Sequence, residues 1–257
     1  MWTLGGVLVL LLGASQGALE TRSAGSARVH SLSRYLDLSS ANVEEHLAFR
    51  VSAPPSNPAN LLPFAFPSAH ADSLALARAS ISPSSGSRNR AAFGFSSHSS
   101  NALPSDLIPA FVHFPQPLSP GESANIVLNL TFVGLLRPYP ESVSQGERQS
   151  MLYSGSLHFP LPSPPDVESL SVKLPSSTVH SFSQPTNSSA AHRGTIIDYG
   201  TFNGEPAGTS EELRLHFPSD VTYLVASVFS REYVLSHRGQ LRVTVRIAIP
   251  NPFLFQH

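Results

Sequence analysis

The sequence predicts an all-β, mainly antiparallel protein: a β-sandwich-like domain with one short helix and a long Ser/Pro-rich loop. Three observations lead to this fold class. Several segments alternate apolar and polar residues with period two, Pro/Gly turns separate them, and 23 of the 257 residues are proline. Proline lacks a backbone donor and clashes inside a helix, so this composition favours many turns over long helices.

Five segments predict strands because their apolar residues share one face. These residues are Leu47, Phe49 and Val51; Ile126, Leu128, Leu130 and Phe132; Leu170, Val172 and Leu174; Leu213, Leu215 and Phe217; and Leu241, Val243, Val245, Ile247 and Ile249. Residues 221–236 are long enough for a bent strand or a hairpin. Turns are expected at 119–122, 162–165 and 203–204, where Pro, Gly and Asn cluster.

Two segments depart from the strand pattern. A short helix is expected around residues 71–79, where Leu74, Ala75 and Arg78 recur at helical spacing. Residues 80–105 are rich in Ser, Asn and Arg, and they predict a long loop or weak hairpin that is poorly ordered at its tip.

The first residues predict the compartment. Residues 1–17 hold a short apolar run followed by small residues, and Ser15 and Gly17 suit the −3 and −1 positions of signal-peptidase cleavage. The run is too short to span a bilayer, which takes roughly 20 apolar residues. We therefore expect a signal peptide at 1–17, a flexible segment at 18–30, a luminal β domain at 31–250 and a divergent tail at 251–257.

Composition excludes several classes of function. The net charge of −1 offers no basis for binding nucleic acid or an acidic membrane surface. The absence of cysteine excludes disulfides, thiol nucleophiles and cysteine-based zinc sites. No second apolar stretch approaches membrane length, so no anchor is expected within this chain after cleavage.

The sequence that follows the expected signal peptide contains no recognisable catalytic or cofactor-binding motif. Residues 13–17 read G-A-S-Q-G, which matches a nucleophile elbow, but this motif lies in the segment expected to be removed. The eleven histidines are dispersed without ligand spacing, and no phosphate-binding glycine loop occurs. We expect no catalytic residue, no cofactor and no metal, and therefore a chain that is not an enzyme by itself.

Two sequons are candidate glycosylation sites. Asn129 begins N-L-T on the polar face of its predicted strand, so a glycan there would point to solvent. Asn187 begins N-S-S in a Ser/Pro-rich loop and is the more accessible of the two.

Pro138, Tyr139 and Pro140 are a candidate partner-facing element. Prolines on both sides of Tyr139 stiffen the exit from a strand and hold an amphipathic ring in place. Two interpretations stay open from the sequence: a buried corner, which is the usual role of strand-end prolines, and an exposed contact for a partner.

The order of several short motifs resembles the ribophorin I family. The motifs are Asp37-Leu38-Ser39-Ser40, Ser119-Pro120-Gly121-Glu122, Arg137-Pro138-Tyr139-Pro140, Gln145-Gly146-Glu147-Arg148-Gln149, Asp198-Tyr199-Gly200-Thr201-Phe202 and Ser236-His237-Arg238-Gly239. Each is weak alone, but together they cover roughly residues 34–245 in the family's order. Asp198-Tyr199-Gly200 also resembles the end of the W-W-D-Y-G motif of the catalytic oligosaccharyltransferase subunit, but Ile196 and Ile197 replace both tryptophans.

The resemblance implies a role and not a reaction. The family's members are non-catalytic accessory subunits of the oligosaccharyltransferase complex, which transfers a lipid-linked glycan to Asn of nascent proteins in the endoplasmic reticulum. The resemblance implies a β-sandwich on the luminal face of the membrane. It also implies that the partners are the other subunits, including the catalytic one, and nascent polypeptides. Membrane association is then expected only through partners or through a C-terminal anchor missing from this chain.

An alternative interpretation is a freestanding secreted β-sandwich that binds carbohydrate or peptide. An exposed groove lined by Trp and Tyr would favour it, but Trp2 is the only tryptophan and lies in the expected signal peptide. A secreted hydrolase is disfavoured by the missing motifs.

Overall fold

The computed structural model describes residues 25–84, 86–95, 107–140, 149–186, 189–203, 211–219, 228–237 and 239–248. Within them lie seventeen strands and one helix, α1, at Ser68–Ser73. In chain order the strands are β1 (Gly25–Ser26), β2 (Arg28–Asp37), β3 (Asn42–Ser52), β4 (Ala59–Pro67), β5 (Leu74–Pro83), β6 (Asn89–Phe95), β7 (Leu107–Leu118), β8 (Ser123–Val133), β9 (Arg137–Pro138), β10 (Ser150–Ser156), β11 (Val167–Lys173), β12 (Ser181–Phe182), β13 (Ala191–Arg193), β14 (Ile196–Asn203), β15 (Glu212–Pro218), β16 (Val228–Leu235) and β17 (Leu241–Ala248). This confirms the all-β prediction.

Eleven strands form one large sheet in the order β1-β4-β7-β6-β5-β8-β3-β2-β11-β14-β13. Its neighbours run antiparallel, apart from the parallel pairs β1–β4 and β2–β11. At its centre, β3 and β8 pair without a register shift, from Asn42 opposite Val133 to Ser52 opposite Ser123. The sheet ends in strands of two and three residues, which is a common protection against edge pairing.

A four-stranded sheet, β12-β15-β10-β9, packs against the large sheet. Tyr153 and Phe217 from the small sheet share one buried core with Leu47 and Phe49 from the large sheet. Phe159, which follows β10, lies in the same core with its ring centroid 5.8 Å from that of Phe49. Two layers with a common apolar core form a sandwich-like arrangement, as the sequence predicts.

The period-two pattern explains which side of each strand is buried. In β8, Leu128 and Leu130 are buried while Asn129 between them is exposed. The turn before β8 also forms as expected: the Glu122 amide donates to the Ser119 carbonyl over 2.9 Å. Gly121 there has a φ of 76°, which is the conformation that glycine adopts most readily after Pro in a tight turn.

The expected helix at 71–79 is wrong in its bounds. The helix ends at Ser73, and Leu74–Pro83 is strand β5, which pairs with β8 along most of its length. Apolar residues at alternating positions toward the end of β5, such as Ala79 and Ile81, are buried there. Pairing with a central strand therefore overrides the helical propensity of this Ala-rich segment.

Of the two alternatives for residues 80–105, a long loop or a weak hairpin, the described part forms the hairpin. Strand β6 (Asn89–Phe95) pairs with β5 and also with β7. Ala91 is buried, and the Phe93 ring packs 6.2 Å from Phe66. These apolar contacts hold β6 in the sheet despite its polar neighbours. Residues 85 and 96–105, which include the expected loop tip, lie outside the described residues.

The ordered sheet begins before residue 31, within the segment expected to be flexible. Gly25 and Ser26 pair with β4, and Ala27 and Val29 are 8% and 7% exposed. The expected signal peptide at 1–17, the sequon Asn187 and the tail at 251–257 lie outside the described residues. No helix in the described ranges combines the length and apolar character needed to cross a membrane.

The D-Y-G motif forms a bulge inside β14. Leu170 lies opposite Gly200 and Ser171 lies opposite Asp198, so Tyr199 is the extra residue of the pairing. The Asp198 carboxylate accepts the Gly200 amide over 2.9 Å, and Gly200 has a φ of 74°. This bulge directs Tyr199 into the core, where burial raises its pKa to about 12 although a hydrogen bond with the Ser183 side chain opposes the shift.

Strands β16 and β17 form a separate two-stranded sheet. Within residues 221–236, expected to form a bent strand or a hairpin, Val228–Leu235 form the single strand β16, which pairs with β17. Residues 221–227 are outside the described residues. Unlike the other predicted strands, β17 exposes its apolar residues.

Candidate functional sites on and between the sheets

The Tyr139 element lies at the edge of the small sheet. Pro138 pairs with Met151 of β10, and the Tyr139 amide donates to the Ser150 carbonyl over 2.8 Å. These backbone contacts direct the Tyr139 side chain outward, where it is 58% exposed. Pro140 is also exposed. The element is therefore not a buried corner. That the Tyr139 ring contacts a partner stays a prediction.

Tyr139 adjoins a small cluster of histidines. Its ring lies 5.4 Å from that of His216, which in turn lies 4.7 Å from that of His180. Ser150 Oγ lies 3.1 Å from His180 Nε2. We call Tyr139, Ser150, His180 and His216 the Tyr139 patch. Its rings and polar atoms form a surface that can make both stacking and hydrogen-bonding contacts.

The sequon residue Asn129 lies on the open face of the large sheet. It stands opposite His46 in β3 and opposite Arg78 in β5. His46 Nδ1 lies 2.8 Å from the Asn129 side-chain oxygen. Asn129 is exposed, as its position on the polar face of β8 predicts.

A buried ion pair of the large sheet faces the small sheet, and the sequence reasoning missed it. Arg34 of β2 and Glu45 of β3 are 4% and 3% exposed, and Arg34 Nε donates to Glu45 Oε1 over 2.5 Å. Arg34 also donates to the carbonyls of Ser156 and Leu157 over 2.7 and 3.2 Å. Burial alone would lower the pKa of Arg34, but the nearby carboxylates raise it, so the guanidinium stays charged.

The apolar–polar alternation of β2 and β3 could have predicted that these two charged residues are buried. Leu32, Arg34 and Leu36 occupy successive positions on one face of β2, and Leu32 and Leu36 are buried. A charged residue in the middle of an apolar row must either break the strand or find a buried partner. The same reading applies to Glu45, which lies between Val43 and Leu47.

A second carboxylate fixes the segment that follows β10. Glu168 of β11 is 4% exposed and accepts the Phe159 amide over 2.8 Å through Oε1. Its Oε2 lies 3.0 Å from His158 Nδ1. Together with Arg34, Glu168 ties this segment to the large sheet through hydrogen bonds to charged groups, which are stronger than neutral ones.

The cavity beside the ion pair is small. Arg34, Glu45, His70 and Phe159 contribute to its wall, and its volume is ≈ 10 Å³. A space of this size holds about one water molecule. The ion pair, the cavity and the Glu168 contacts therefore fit a structural role, which is to hold two sheets in a fixed arrangement.

Comparison with known proteins decides the family. A family model described as Ribophorin I matches residues 27–252. The chain belongs to the ribophorin I family. The match spans strands β2 to β17, so it covers the ion pair, the Tyr139 patch and Asn129 together.

Two curated relatives are from Arabidopsis thaliana and are named dolichyl-diphosphooligosaccharide–protein glycosyltransferase subunits 1A and 1B. This chain is 29% identical to subunit 1A over 142 residues, which is 55% of the chain and 23% of that relative. It is 26% identical to subunit 1B over 236 residues, which is 86% of the chain and 48% of that relative. The chain thus spans at most about half the length of these relatives.

Solved structures give a weaker likeness. An M1 zinc metallopeptidase from Deinococcus radiodurans matches with a TM-score of 0.39 and 16% identity, covering 91% of this chain and 51% of the peptidase. A likeness at this level supports no statement about activity.

Proposed function

We propose that this chain is a non-catalytic accessory subunit of the oligosaccharyltransferase complex on the luminal face of the endoplasmic reticulum. In this role it supports transfer of the lipid-linked oligosaccharide to Asn of nascent proteins, while catalysis resides in a partner subunit. The observation that carries the proposal is the ribophorin I family match over residues 27–252. The names of the Arabidopsis relatives support the same complex.

The contacts between the two sheets are those expected of a structural scaffold. Arg34, held by Glu45, and Glu168 link the large sheet to β10 and the segment after it through charged hydrogen bonds, and such links hold the packing of the two layers in one arrangement. A rigid two-layer body can present the Tyr139 patch to a neighbour in a fixed orientation. The partners we propose are the other subunits, including the catalytic one, and nascent polypeptides.

Co-purification from microsomes tests the proposal. The tagged chain is expressed in cells, microsomes are solubilised in mild detergent, and the recovered proteins are identified by mass spectrometry. Recovery of the catalytic oligosaccharyltransferase subunit is the expected result. Secretion of most of the chain into the medium, without that subunit, would instead support a freestanding binding module for carbohydrate or peptide.

A variant tests the Tyr139 patch as the contact. Tyr139→Ala is expected to lower recovery of the complex several-fold, since exposed tyrosines at interface centres often carry more than 1 kcal/mol of binding energy. Leu76→Ala is the matched control, because Leu76 is also exposed, at 44%, but lies in the large sheet. Equal recovery of both variants would remove Tyr139 from the interface.

A further inference from the structure

Asn129 lies in the middle of a polar row that crosses four strands of the large sheet. The register places Tyr35 of β2 opposite His46 of β3, and His46 opposite Asn129 of β8. Arg78 of β5 lies opposite Asn129 on its other side. Alternation along β8 points Leu130 into the core and Asn129 away from it, so the row lies on the open face of the sheet.

The Asn129 side chain contacts the protein through its oxygen. His46 Nδ1 lies 2.8 Å from Asn129 Oδ1, and because this oxygen only accepts, His46 is the donor. The amide nitrogen Nδ2 has no hydrogen-bond partner among the described residues. The folded sheet therefore holds the atom that N-glycosylation leaves unchanged, and it leaves free the atom that N-glycosylation modifies.

The sequon identifies the class of group that this nitrogen can carry. Asn129, Leu130 and Thr131 read N-L-T, and Asn129 and Thr131 share the open face because they are two residues apart. The second sequon of the chain begins at Asn187, outside the described residues. Asn129 is thus the sequon residue for which exposure and a free amide nitrogen are both observed.

The side chains around Asn129 are of the kinds that bind sugars. The Tyr35 ring lies 5.8 Å from the His46 ring, and aromatic faces attract the C–H groups of a sugar. Glu44 Oε2 lies 3.8 Å from His46 Nε2, and Arg78 is exposed, so charged partners for sugar hydroxyls lie on both sides. Ala48, two residues after His46 on the same face, is small and exposed, which leaves room above the sheet.

We propose that Asn129 carries an N-linked oligosaccharide whose first sugars lie across β3 and β2. Two strand spacings, about 10 Å, separate Asn129 from Tyr35, so the first sugar lies over His46 and the second packs on the Tyr35 ring. The glycan thereby covers part of the open face. The inference rests on the proposed function, because the chain meets the sugar donor only in the lumen of the endoplasmic reticulum.

The modification is a transfer from a lipid-linked diphosphate oligosaccharide. Asn129 Nδ2 forms a bond to C1 of the first sugar, and the bond between C1 and the phosphate oxygen breaks. The lipid diphosphate leaves with the electron pair of that bond, and Nδ2 gives up one proton to a base. Since β8 is paired with β3 and β5 in the folded sheet, the transfer takes place on the nascent chain before these strands pair.

Heavy-oxygen labelling tests the modification. The tagged chain is expressed with Asn187→Gln, which removes the other sequon. Peptide N-glycosidase in heavy-oxygen water then converts a glycan-bearing asparagine to labelled aspartate, which mass spectrometry counts. Thr131→Val is the matched control, because it keeps Asn129 and removes the sequon. We expect at least tenfold more label at Asn129 than in this control, and equal labelling would overturn the proposal.

Trimming of the glycan tests its position on the sheet. An endoglycosidase that leaves a single sugar on the asparagine removes the sugar proposed to contact Tyr35. We expect trimming to lower the urea midpoint of the Asn187→Gln chain, and Tyr35→Ala to abolish at least half of this shift. Tyr233→Ala is the control and is expected to retain the full shift, because Tyr233 is 59% exposed in the separate β16–β17 sheet. Equal shifts in both tyrosine variants would overturn the placement on Tyr35.

Protease protection separates this inference from the proposed function. If sealed microsomes protect the chain from added protease and Asn129 is unlabelled, only the glycan assignment is wrong. If the protease degrades the chain in sealed microsomes, the luminal location fails, and both proposals are wrong.

Discussion

Replacing Arg34 by Met removes a cation from the core and leaves Glu45 buried without its partner. Arg34 makes three hydrogen bonds, at 2.5 Å to Glu45 and at 2.7 and 3.2 Å to the carbonyls of Ser156, which ends β10, and Leu157. Breaking a buried ion pair by removing one partner costs about 3–5 kcal/mol, and Met fills part of the vacated volume. For a domain of this size, that loss lowers Tm by about 6–20 °C.

Urea unfolding followed by far-ultraviolet circular dichroism measures this loss. The double variant Arg34→Met with Glu45→Leu is expected to recover most of the stability, since it removes both charges and fills the site with apolar groups. Arg214→Met is the control: Arg214 pairs with Glu212 over 2.6 Å at the surface, where an ion pair contributes about 0–1 kcal/mol.

Two results would refute the reasoning. If Arg34→Met lowers the free energy of unfolding by less than about 1 kcal/mol, the ion pair does not stabilise the junction of the sheets as its burial implies. If the double variant is no more stable than the single one, the loss comes from packing around the Arg34 stem and not from the unpaired carboxylate of Glu45.

Three further predictions concern other described residues. Gly155→Ala places a Cβ 2.5 Å from the hydroxyl of buried Tyr153, so urea denaturation is expected to report a loss of about 1–3 kcal/mol, and an unchanged midpoint would contradict this clash. Burial lowers the pKa of His70 against the opposing attraction of Glu45, so the unfolded chain binds this proton more tightly and stability falls as pH drops through the ordinary histidine pKa of about 6.5. His70→Gln is expected to reduce the difference in urea midpoint between pH 7 and pH 5.5, and an equal difference in both proteins would contradict this assignment. Thr131→Val removes the Asn129 sequon, so faster gel mobility than that of the unaltered chain is expected, and unchanged mobility would exclude a glycan at Asn129.

Much of the fold follows from local chemistry. Strand β8 was predictable because alternation at period two places Leu128 and Leu130 on one face, whatever the strand packs against. The bounds of β5 were not, because its Ala-rich sequence favours a helix until β8 offers backbone partners along most of its length. The ion pair was missed because Arg34 and Glu45 become partners only when β2 and β3 pair.

The exposure of Tyr139 illustrates the same division. The flanking prolines predict a stiff strand exit, since proline fixes φ wherever it occurs. Whether the ring is buried depends on which strand lies beside it, and β9 is an edge strand of the small sheet. Sequence alone therefore left both interpretations open, and the tertiary structure shows that the ring is exposed.

What the sequence by itself determined is the strand-rich fold class, the turn at Ser119–Glu122 and the family, because alternation, turn chemistry and motif order are properties of the chain that require no partner strand. What only the tertiary structure decided is which polar residues meet inside the core and which apolar residues stay outside it. Leu215 and Val243 lie in equally regular alternating strands, yet Leu215 is fully buried and Val243 is 47% exposed. The difference is that β15 packs against the large sheet, whereas β17 pairs only with β16 in the described residues. A strand face is buried only when a second layer packs against it, and the sequence of a single strand does not specify that layer.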